Sequence, residues 1–135
     1  MRRYLIDTHI FIWNIFNRHK LSKQLCDEFD DYSNIFYLSR LSLWEIAIKN
    51  RNGNLPLGED YAKFISNISK KFGVTILEMN DRHLITLNNL NYPEFHKDPF
   101  DHIIVSQAIT DKLCLVSADN KMKFYINQGL ELLEN

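Results

Sequence analysis

The sequence predicts an α/β fold, in which a mostly parallel sheet of four or five strands lies between two layers of helices, an α/β/α sandwich. Two observations predict it. Short apolar runs alternate along the chain with longer stretches in which apolar residues recur at helical spacing. The runs are apolar at consecutive positions, which is typical of strands buried on both faces of a parallel sheet. The length of 135 residues predicts one domain, spanning residues 1–135.

The predicted strands are short and rich in the residue types that favour an extended backbone. They consist largely of Val, Ile, Leu, Tyr and Phe, with few polar interruptions. In chain order the predicted strands are Tyr4–Ile6, Ile35–Leu38, Val74–Leu77, Cys114–Val116 and Leu130–Leu133. Because helices connect these strands, we expect right-handed crossovers between parallel neighbours.

The predicted helices lie between the predicted strands, in stretches where apolar residues recur every three or four positions. In chain order they are Phe11–Phe16, Leu21–Leu25, a helix containing Leu43, Ile46 and Ala47, Tyr61–Phe72, Leu84–Leu90, a helix containing Phe100, Ile103, Ile104, Gln107 and Ala108, and Lys121–Ile126. Residues 52–54, Asn-Gly-Asn, end the third of these helices, and Gly73 closes the fourth. Residues 91–97, which include Pro93, form a predicted loop.

The composition indicates a folded protein of the cytoplasm. Charged residues make up 24% and hydrophobic residues 45% of the chain, so disorder is not expected. The net charge of −1 leaves a nucleic-acid partner open, because such partners bind to local basic patches. Cys26 and Cys114 form neither a metal motif nor a disulfide framework, and we expect reduced thiols. No apolar run reaches the length of a membrane span, so no membrane partner is expected.

Several kinds of α/β site lack their characteristic residues. No GxGxxG follows a strand, which argues against a nucleotide cofactor. Gly53 and Gly58 are spaced as in a phosphate-binding loop, but Glu59 replaces the required lysine. A phosphatase with an aspartate nucleophile would need a second Asp two positions after Asp7, where the chain has His9. The histidines lack the spacing of a zinc site.

Carboxylates occur in four segments that the predicted fold brings to one edge of the sheet. Asp7 follows the first strand, Glu45 lies early in the helix after the second, Asp101 begins the helix before the fourth, and Asp119 follows the fourth. No basic residue stands at these positions. Clustered carboxylates repel one another, so the arrangement predicts a bound cation. Oxygen ligands of this kind suit Mg²⁺ or Mn²⁺.

Each acid also has an ordinary interpretation when it is taken alone. Asp7 and Asp119 are good capping or turn residues, and Glu45 is an acid that the dipole of a helix favours early in the helix. Asp98 before Pro99 fits a helix cap followed by proline at the first helical position. The metal hypothesis therefore depends on the joint placement of the acids.

Four sequence blocks, in this order, resemble the PIN-domain family, and they span residues 4 to 119. The blocks are LIDTHIFIW, SRLSLWEIAIKNRNG, DPFDHIIVSQA and LVSAD. The combination of WEI with DPFD is similar to the VapC-type toxins of bacterial toxin–antitoxin pairs. The resemblance implies a PIN-like fold and a Mg²⁺- or Mn²⁺-dependent endoribonuclease. It also implies restraint by a cognate antitoxin, and a homodimer.

The resemblance also implies roles for individual residues. The family's acidic quartet matches Asp7, Glu45, Asp101 and Asp119, which would be both the catalytic residues and the metal ligands. The supporting residues are Thr8 and Ser117, with Asp98 shared by the DPFD subgroup but outside the quartet. His102 stands where similar sequences often carry arginine. The candidate RNA contacts are Lys49, Arg51, His102, Lys121 and Lys123, with Lys121 and Lys123 ranked first because they follow Asp119 closely.

The expected reaction is hydrolysis by water without help from the ribose 2′-hydroxyl, which leaves 5′-phosphate and 3′-hydroxyl ends. Two alternatives stay open. The chain could be a catalytically inactive module that holds an antitoxin in an apolar groove, for which the candidate aromatic residues are Phe11, Trp13, Phe16 and Trp44. It could also be a structure-specific DNA nuclease of related fold.

Overall fold

Five parallel strands form one sheet in the computed structural model, which describes residues 1–135. The strands are β1 (Arg3–Ile6), β2 (Ile35–Ser39), β3 (Val74–Leu77), β4 (Cys114–Ser117) and β5 (Glu131–Glu134). Their order across the sheet is β3-β2-β1-β4-β5, and every neighbouring pair is parallel. The predicted fold class is confirmed, and each predicted strand is found to within one residue at either end.

Six α-helices and two 3₁₀ helices connect or follow these strands. The α-helices are α1 (Thr8–Phe16), α2 (Lys23–Asp30), α3 (Arg40–Arg51), α4 (Tyr61–Phe72), α5 (Asp81–Asn89) and α6 (Pro99–Asp111), and the 3₁₀ helices are Arg18–Lys20 and Asn120–Gln128. The bounds predicted for α4 are confirmed. Its closing residue, Gly73, has the left-handed conformation that a helix end requires, at φ 70°.

The predicted positions of α2 and α5 were partly wrong, because capping side chains set where these helices begin. The Ser22 hydroxyl accepts a hydrogen bond from the Leu25 N–H, so α2 begins at Lys23 rather than at Leu21. The Asn80 side chain accepts from the His83 N–H, and the His83 ring accepts from the Asn80 N–H, so α5 begins three residues before Leu84.

The sheet separates two hydrophobic cores, and alternate residues of β1 belong to different cores. Tyr4 and Ile6 belong to a core of 16 buried residues, which also takes in side chains of α1 to α4. Leu5 belongs to a core of 10 buried residues, built mainly with α6 and the second 3₁₀ helix. This alternation follows from the pleat of a strand, and it makes β1 the buried centre of the molecule.

Helix α6 is buried along most of its length, since every residue from His102 to Ala108 is buried. A helix that is apolar all round is expected at such a position in a layered fold. None of the helices combines the length and the apolar content that crossing a membrane would require.

Candidate metal centre

The four predicted acids line one open cleft at the carboxyl ends of β1 and β4. Its volume is about 310 Å³. The lining residues are Asp7, His9, Trp13, Glu45, Asp98, Asp101, Ala118 and Asp119. Because strands β1, β2 and β4 are parallel neighbours, the segments that follow them start from the same edge of the sheet. The structure therefore brings together the four carboxylates that the sequence placed on four separate segments.

Asp7 lies at the end of the central strand and is almost fully buried, with 7% of its surface exposed. Its N–H donates to the carbonyl of Val116 at 2.9 Å, which extends the pairing of β1 with β4. The Ser117 hydroxyl donates to Asp7 Oδ2 at 2.8 Å. Burial raises the pKa of Asp7 and nearby Glu45 adds to the rise, whereas the Ser117 hydrogen bond and His9 act against it. Ionising Asp7 is therefore costly without a cation.

Ser117 also connects Asp7 to the next acid along the edge. Its hydroxyl oxygen accepts a hydrogen bond from the Asp119 N–H at 3.1 Å. Asp119 Oδ1 in turn accepts from the Lys121 N–H at 2.9 Å, which caps the second 3₁₀ helix. The second oxygen of Asp119 remains available to the cleft. Thr8, the other predicted supporting residue, is buried, and its hydroxyl donates to the Ser42 hydroxyl at 2.8 Å. Thr8 thus ties α1 to α3.

Asp98 and Asp101 occupy different positions at the start of α6. Asp98 is the N-cap residue, with Oδ1 accepting from the Phe100 N–H at 2.9 Å, and Pro99 takes the first helical position. Asp101 lies within the first turn, and its Oδ2 is 2.9 Å from Nε2 of His96. Burial raises the pKa of Asp101, Asp7 and Asp98 add to the rise, and His96 opposes it.

Glu45 differs from the other acids because it has a cation beside it. Lys49, one turn later on α3, places its Nζ 3.1 Å from Glu45 Oε2. The expectation that no basic residue neutralises the acids is therefore wrong for Glu45. The sequence could have predicted this ion pair, since Glu45 and Lys49 are four residues apart and residues i and i+4 of a helix are neighbours.

His96 is the residue of this centre that the sequence did not reveal. It is 3% exposed, and one ligand atom each from His96, Asp101 and Asp119 lie within 4.8 Å of one another. Its Nδ1 is 2.6 Å from the Tyr125 hydroxyl. His96 lies in the loop between α5 and α6, where no periodicity relates its position to that of the acids. Its placement five residues before Asp101 was the only available signal.

The donor set fits a hard divalent cation. Carboxylate oxygens from four segments face one cleft, and two of these carboxyls have pKa values raised by burial and by their neighbours. Such groups gain most from a cation that supplies the missing positive charge. Mg²⁺ and Mn²⁺ are the ions that oxygen ligands of this type suit.

The PIN domain family matches residues 4–125 of the chain. The chain belongs to the PIN domain family. Domains of this family are generally nucleases, and they typically use divalent metals. No curated protein matches the sequence.

The fold of this PIN domain is similar to that of chains in several solved VapBC structures. One is VapBC from Salmonella typhimurium bound to DNA, with 16% identity, a TM-score of 0.71 and coverage of 99% of this chain and 98% of that chain. Another is VapBC-1 from nontypeable Haemophilus influenzae, with 17% identity, a TM-score of 0.71 and coverage of 98% and 97%. A third is VapBC2 from Rickettsia felis bound to a promoter DNA fragment, with 18% identity, a TM-score of 0.67 and coverage of 98% of each chain.

The basic residues of the PIN domain that were predicted to contact RNA have different surroundings. Arg51 and Lys121 are exposed. Lys49 pairs with Glu45, and Lys123 lies 3.4 Å from a carboxylate oxygen of Glu134.

His102 is buried, and its Nε2 is 2.6 Å from the carbonyl oxygen of His96. Its ring centroid is 4.4 Å from that of Tyr92. His102 therefore holds the loop in place, and an RNA contact does not fit its position.

The four aromatic residues predicted to line an apolar groove do not form one surface of the PIN domain. Phe11 is buried in the larger core, Trp13 lines the acidic cleft, and Phe16 is partly exposed elsewhere on α1. Only Trp44, which is 57% exposed, lines an apolar groove. This groove, of about 310 Å³, is formed by Leu41, Trp44, Met79, Leu84, Leu87, Pro99, Phe100 and Ile103.

Proposed function

We propose that the chain is a single PIN nuclease domain, residues 1–135, that cleaves RNA internally with the help of Mg²⁺ or Mn²⁺. The observation that carries the proposal is the convergence of Asp7, Glu45, Asp101 and Asp119 on one cleft. The raised pKa values of Asp7 and Asp101 support a cation there, because ionised carboxylates in this position need one. A bound divalent cation supplies positive charge against the scissile phosphate and acidity for the attacking water.

Several side chains of the cleft would bind this cation or position its ligands. Asp7 and Asp101 are the principal ligands in this proposal, because burial and neighbouring acids raise the pKa values of these two carboxyls, which therefore gain most from a cation. Ser117 fixes one oxygen of Asp7 and, through the Asp119 N–H, the position of Asp119. Glu45 contributes an oxygen whose charge Lys49 already offsets in part. Hydrolysis at such a centre leaves 5′-phosphate and 3′-hydroxyl ends, because the ribose 2′-hydroxyl takes no part.

Two further features of the cleft support single-stranded RNA as the substrate. His9 and Trp13 line it, with ring centroids 6.1 Å apart, and exposed aromatic surfaces stack on unpaired bases. Lys121 and Arg51 are exposed and available for phosphate contacts.

We also propose that the protein is the VapC-type toxin of a toxin–antitoxin pair and works in the cytoplasm. The similar solved structures are described as VapBC, and another, VapBC-5 from Mycobacterium tuberculosis, is described as a member of the VapBC family of toxin–antitoxin systems. These descriptions support an antitoxin partner. The apolar groove supports a docking position for it. Trp44 and Phe100 of the groove directly precede Glu45 and Asp101, and their rings are 5.2 Å apart. A partner in this groove would lie beside the acids and could restrain the enzyme.

Cleavage assays on synthetic RNA test the nuclease proposal. We expect wild-type protein to cut a single-stranded RNA with Mg²⁺ or Mn²⁺, to stop in excess EDTA, and to recover when Mg²⁺ is restored. Asp7→Asn should be inactive, whereas Asp27→Asn, a matched change on the exposed face of α2, should retain activity. Full activity in EDTA would overturn the proposal. Cleavage of DNA of the same sequence, but not of RNA, would instead indicate the DNA-nuclease alternative.

Co-expression with the product of an adjacent small gene tests the partner. We expect the two proteins to purify together and Trp44→Glu to separate them. Ile126→Glu is the control, since Ile126 is a similarly exposed apolar residue outside the groove. Light scattering on the isolated chain tests the predicted homodimer, and a monomer at all concentrations would contradict it.

A further inference from the structure

We propose that His96 is a positioning residue of the metal centre. Held by Tyr125 and His102, it would donate a hydrogen bond to Asp101 and turn that carboxylate toward the metal, without binding the metal itself. The inference rests on the proposed function, because it assigns a role within the same centre. It goes beyond the acidic quartet, whose residues lie in the cleft, since His96 is buried behind Asp101.

Three contacts fix the position of His96. Its Nδ1 is 2.6 Å from the hydroxyl of Tyr125, and its Nε2 is 2.9 Å from Asp101 Oδ2. The carbonyl oxygen of His96 is 2.6 Å from Nε2 of His102. Tyr125, His96 and His102 are all buried, so both the ring and the backbone of His96 are held against rigid parts of the fold.

The hydrogen-bonding capacity of the partners determines which nitrogen of His96 carries the proton. An ionised Asp101 can only accept, so Nε2 must donate to it. A neutral ring then offers Nδ1 as an acceptor, and the Tyr125 hydroxyl can donate to it. Burial, with Asp101 and Asp119 adding to it, raises the pKa of Tyr125 to about 12, so this hydroxyl keeps its proton. One arrangement of protons thus makes both hydrogen bonds of the chain Tyr125–His96–Asp101.

This arrangement excludes a role for His96 as a metal ligand. A ring nitrogen of His96, one oxygen of Asp101 and one oxygen of Asp119 lie within 4.8 Å of one another, so they could also hold a metal ion together. A nitrogen that donates its proton to Asp101 has no lone pair left for a metal. Nε2 can therefore either donate to Asp101 or bind the metal, but it cannot do both. The contact of Nε2 with Asp101 favours the positioning role, because an ionised carboxylate can only accept, and the Tyr125 hydroxyl can then donate to the unprotonated Nδ1.

His83 provides a matched control within the same chain. It is fully buried, and its Nε2 is 3.0 Å from Asp111 Oδ2, which reproduces the pairing of His96 with Asp101. Its Nδ1 accepts from the backbone N–H of Asn80, so Nε2 must carry the proton of a neutral ring. His83 and Asp111 lie outside the acidic cleft. A change at His83 therefore perturbs a similar buried pair without touching the metal centre.

Isothermal titration calorimetry with Mg²⁺ tests the inference without RNA. We expect His96→Ala to weaken Mg²⁺ binding about 10- to 100-fold, the usual cost of losing a residue that orients a ligand. His96→Gln should recover part of this loss, because an amide N–H can replace the donor to Asp101. Tyr125→Phe should weaken binding about 10-fold, and His83→Gln should leave it unchanged. Unchanged binding in His96→Ala, while Asp101→Asn loses Mg²⁺, would overturn the inference and leave the proposed function standing. Unchanged binding in Asp101→Asn would overturn both.

Nitrogen-15 NMR of the imidazole rings separates the two roles of His96 directly, because the decisive observation is made on the wild-type protein. We expect the Nε2–H signal of His96, assigned by its loss in His96→Gln, to persist when Mg²⁺ saturates the protein. The Nε2–H signal of His83 provides the internal reference. Loss of the His96 signal on adding Mg²⁺, with the His83 signal retained, would show that His96 binds the metal and would overturn the inference.

Discussion

Asp98 and Asp101 show how position within one helical turn separates two carboxylates. Both line the cleft, and both lie at the start of α6. One oxygen of Asp98 accepts a hydrogen bond from the Phe100 N–H, as an N-cap residue does. Asp101 is inside the helix, and its carboxylate is paired with His96 beside Asp119. The cap fixes where the helix begins, and the helix then aims Asp101.

We expect the two aspartates to respond differently to the same substitution. Asp101→Asn should lower RNA cleavage on the order of 100-fold or more, since the loss of an orienting residue alone costs 10- to 100-fold. Asp98→Asn should keep most of the activity, because asparagine caps helices about as well as aspartate. Steady-state cleavage rates with matched circular dichroism spectra check this. Equal losses in the two variants would contradict the division of roles.

The buried carboxyl of Asp7 gives a second prediction, on stability against pH in metal-free protein. Its pKa is raised in the folded state, so ionised Asp7 costs stability above that pKa, and the cost disappears as the pH falls toward the ordinary carboxyl value. Asparagine does not ionise, so Asp7→Asn removes this loss of stability. Asp7→Asn should therefore unfold at a higher temperature than wild type at neutral pH, and the difference should shrink on acidification.

Scanning calorimetry of both proteins in EDTA from about pH 7 to about pH 4 measures this difference down to the ordinary carboxyl value. Comparing the two proteins cancels the titration of groups far from Asp7. The pKa of Asp101, which Asp7 helps to raise, falls in Asp7→Asn and changes stability in the same direction. A difference that is constant with pH, or one that grows on acidification, would contradict the raised pKa of Asp7.

Residue by residue, the sequence predicted those parts of the centre that depend on strand order. Asp7 and Asp119 follow strands, and Glu45 and Asp101 lie in the first two turns of helices that start at the same edge, so their convergence follows from the parallel topology. His96 was not predictable in this way, because its position comes from the path of a loop. The burial of His102 was missed because α6 is enclosed on all sides, so its periodicity does not indicate an exposed face.

At the scale of elements, helix α6 contains a buried polar side chain without a hydrogen-bond partner. Gln107 is fully buried, and neither its amide nitrogen nor its amide oxygen has a hydrogen-bond partner in the protein. Burying a polar group without a partner costs about 1–3 kcal/mol. The helix therefore contains a local weakness one turn after Ile103 and Ile104, which pack in the smaller core.

We expect Gln107→Leu to stabilise the fold by about 1–3 kcal/mol, because it removes an unpaired amide while keeping a similar volume. Urea unfolding followed by circular dichroism measures the change. Asn89→Leu, an exposed amide change at the end of the neighbouring α5, is the control and should alter the free energy of unfolding by less than about 0.5 kcal/mol. Destabilisation by Gln107→Leu would mean that the amide does have a partner.

The elements themselves were predicted more accurately in the sheet than among the helices. Each strand contains a short, largely apolar run, so its bounds are visible in the sequence to within one residue. The start of α2 depends on one hydroxyl, that of Ser22, and the start of α5 depends on the reciprocal bonds of Asn80 and His83. Such caps are set by single hydrogen bonds, which hydrophobic periodicity does not record.

For the molecule as a whole, the proposed cation binding would link the cleft to the stability of the fold. A ligand that binds only the folded state stabilises it by about 2.7 kcal/mol at a concentration 100 times its Kd. We expect Mg²⁺ and Mn²⁺ to raise the unfolding temperature of wild type, and expect no rise in Asp7→Asn or Asp101→Asn. Thermal shift measurements with Na⁺ at matched ionic strength provide the control. An equal rise in all three proteins would contradict a metal site at these acids.

The molecule assembles this centre from parts with very different protection against local opening. Strand β1, which leads into Asp7, is paired on both sides, with β2 and with β4, and Tyr4 to Ile6 are fully buried. The loop of residues 91–97 contains one backbone hydrogen bond, from the His96 N–H to the Pro93 carbonyl. Amide protons of residues 4–6 should therefore exchange with deuterium last, on global unfolding, while those of the loop exchange early. Opening of the loop would withdraw His96 from Asp101 while the sheet stays folded, and it would break the contacts of His96 with Tyr125 and His102 without unfolding the protein.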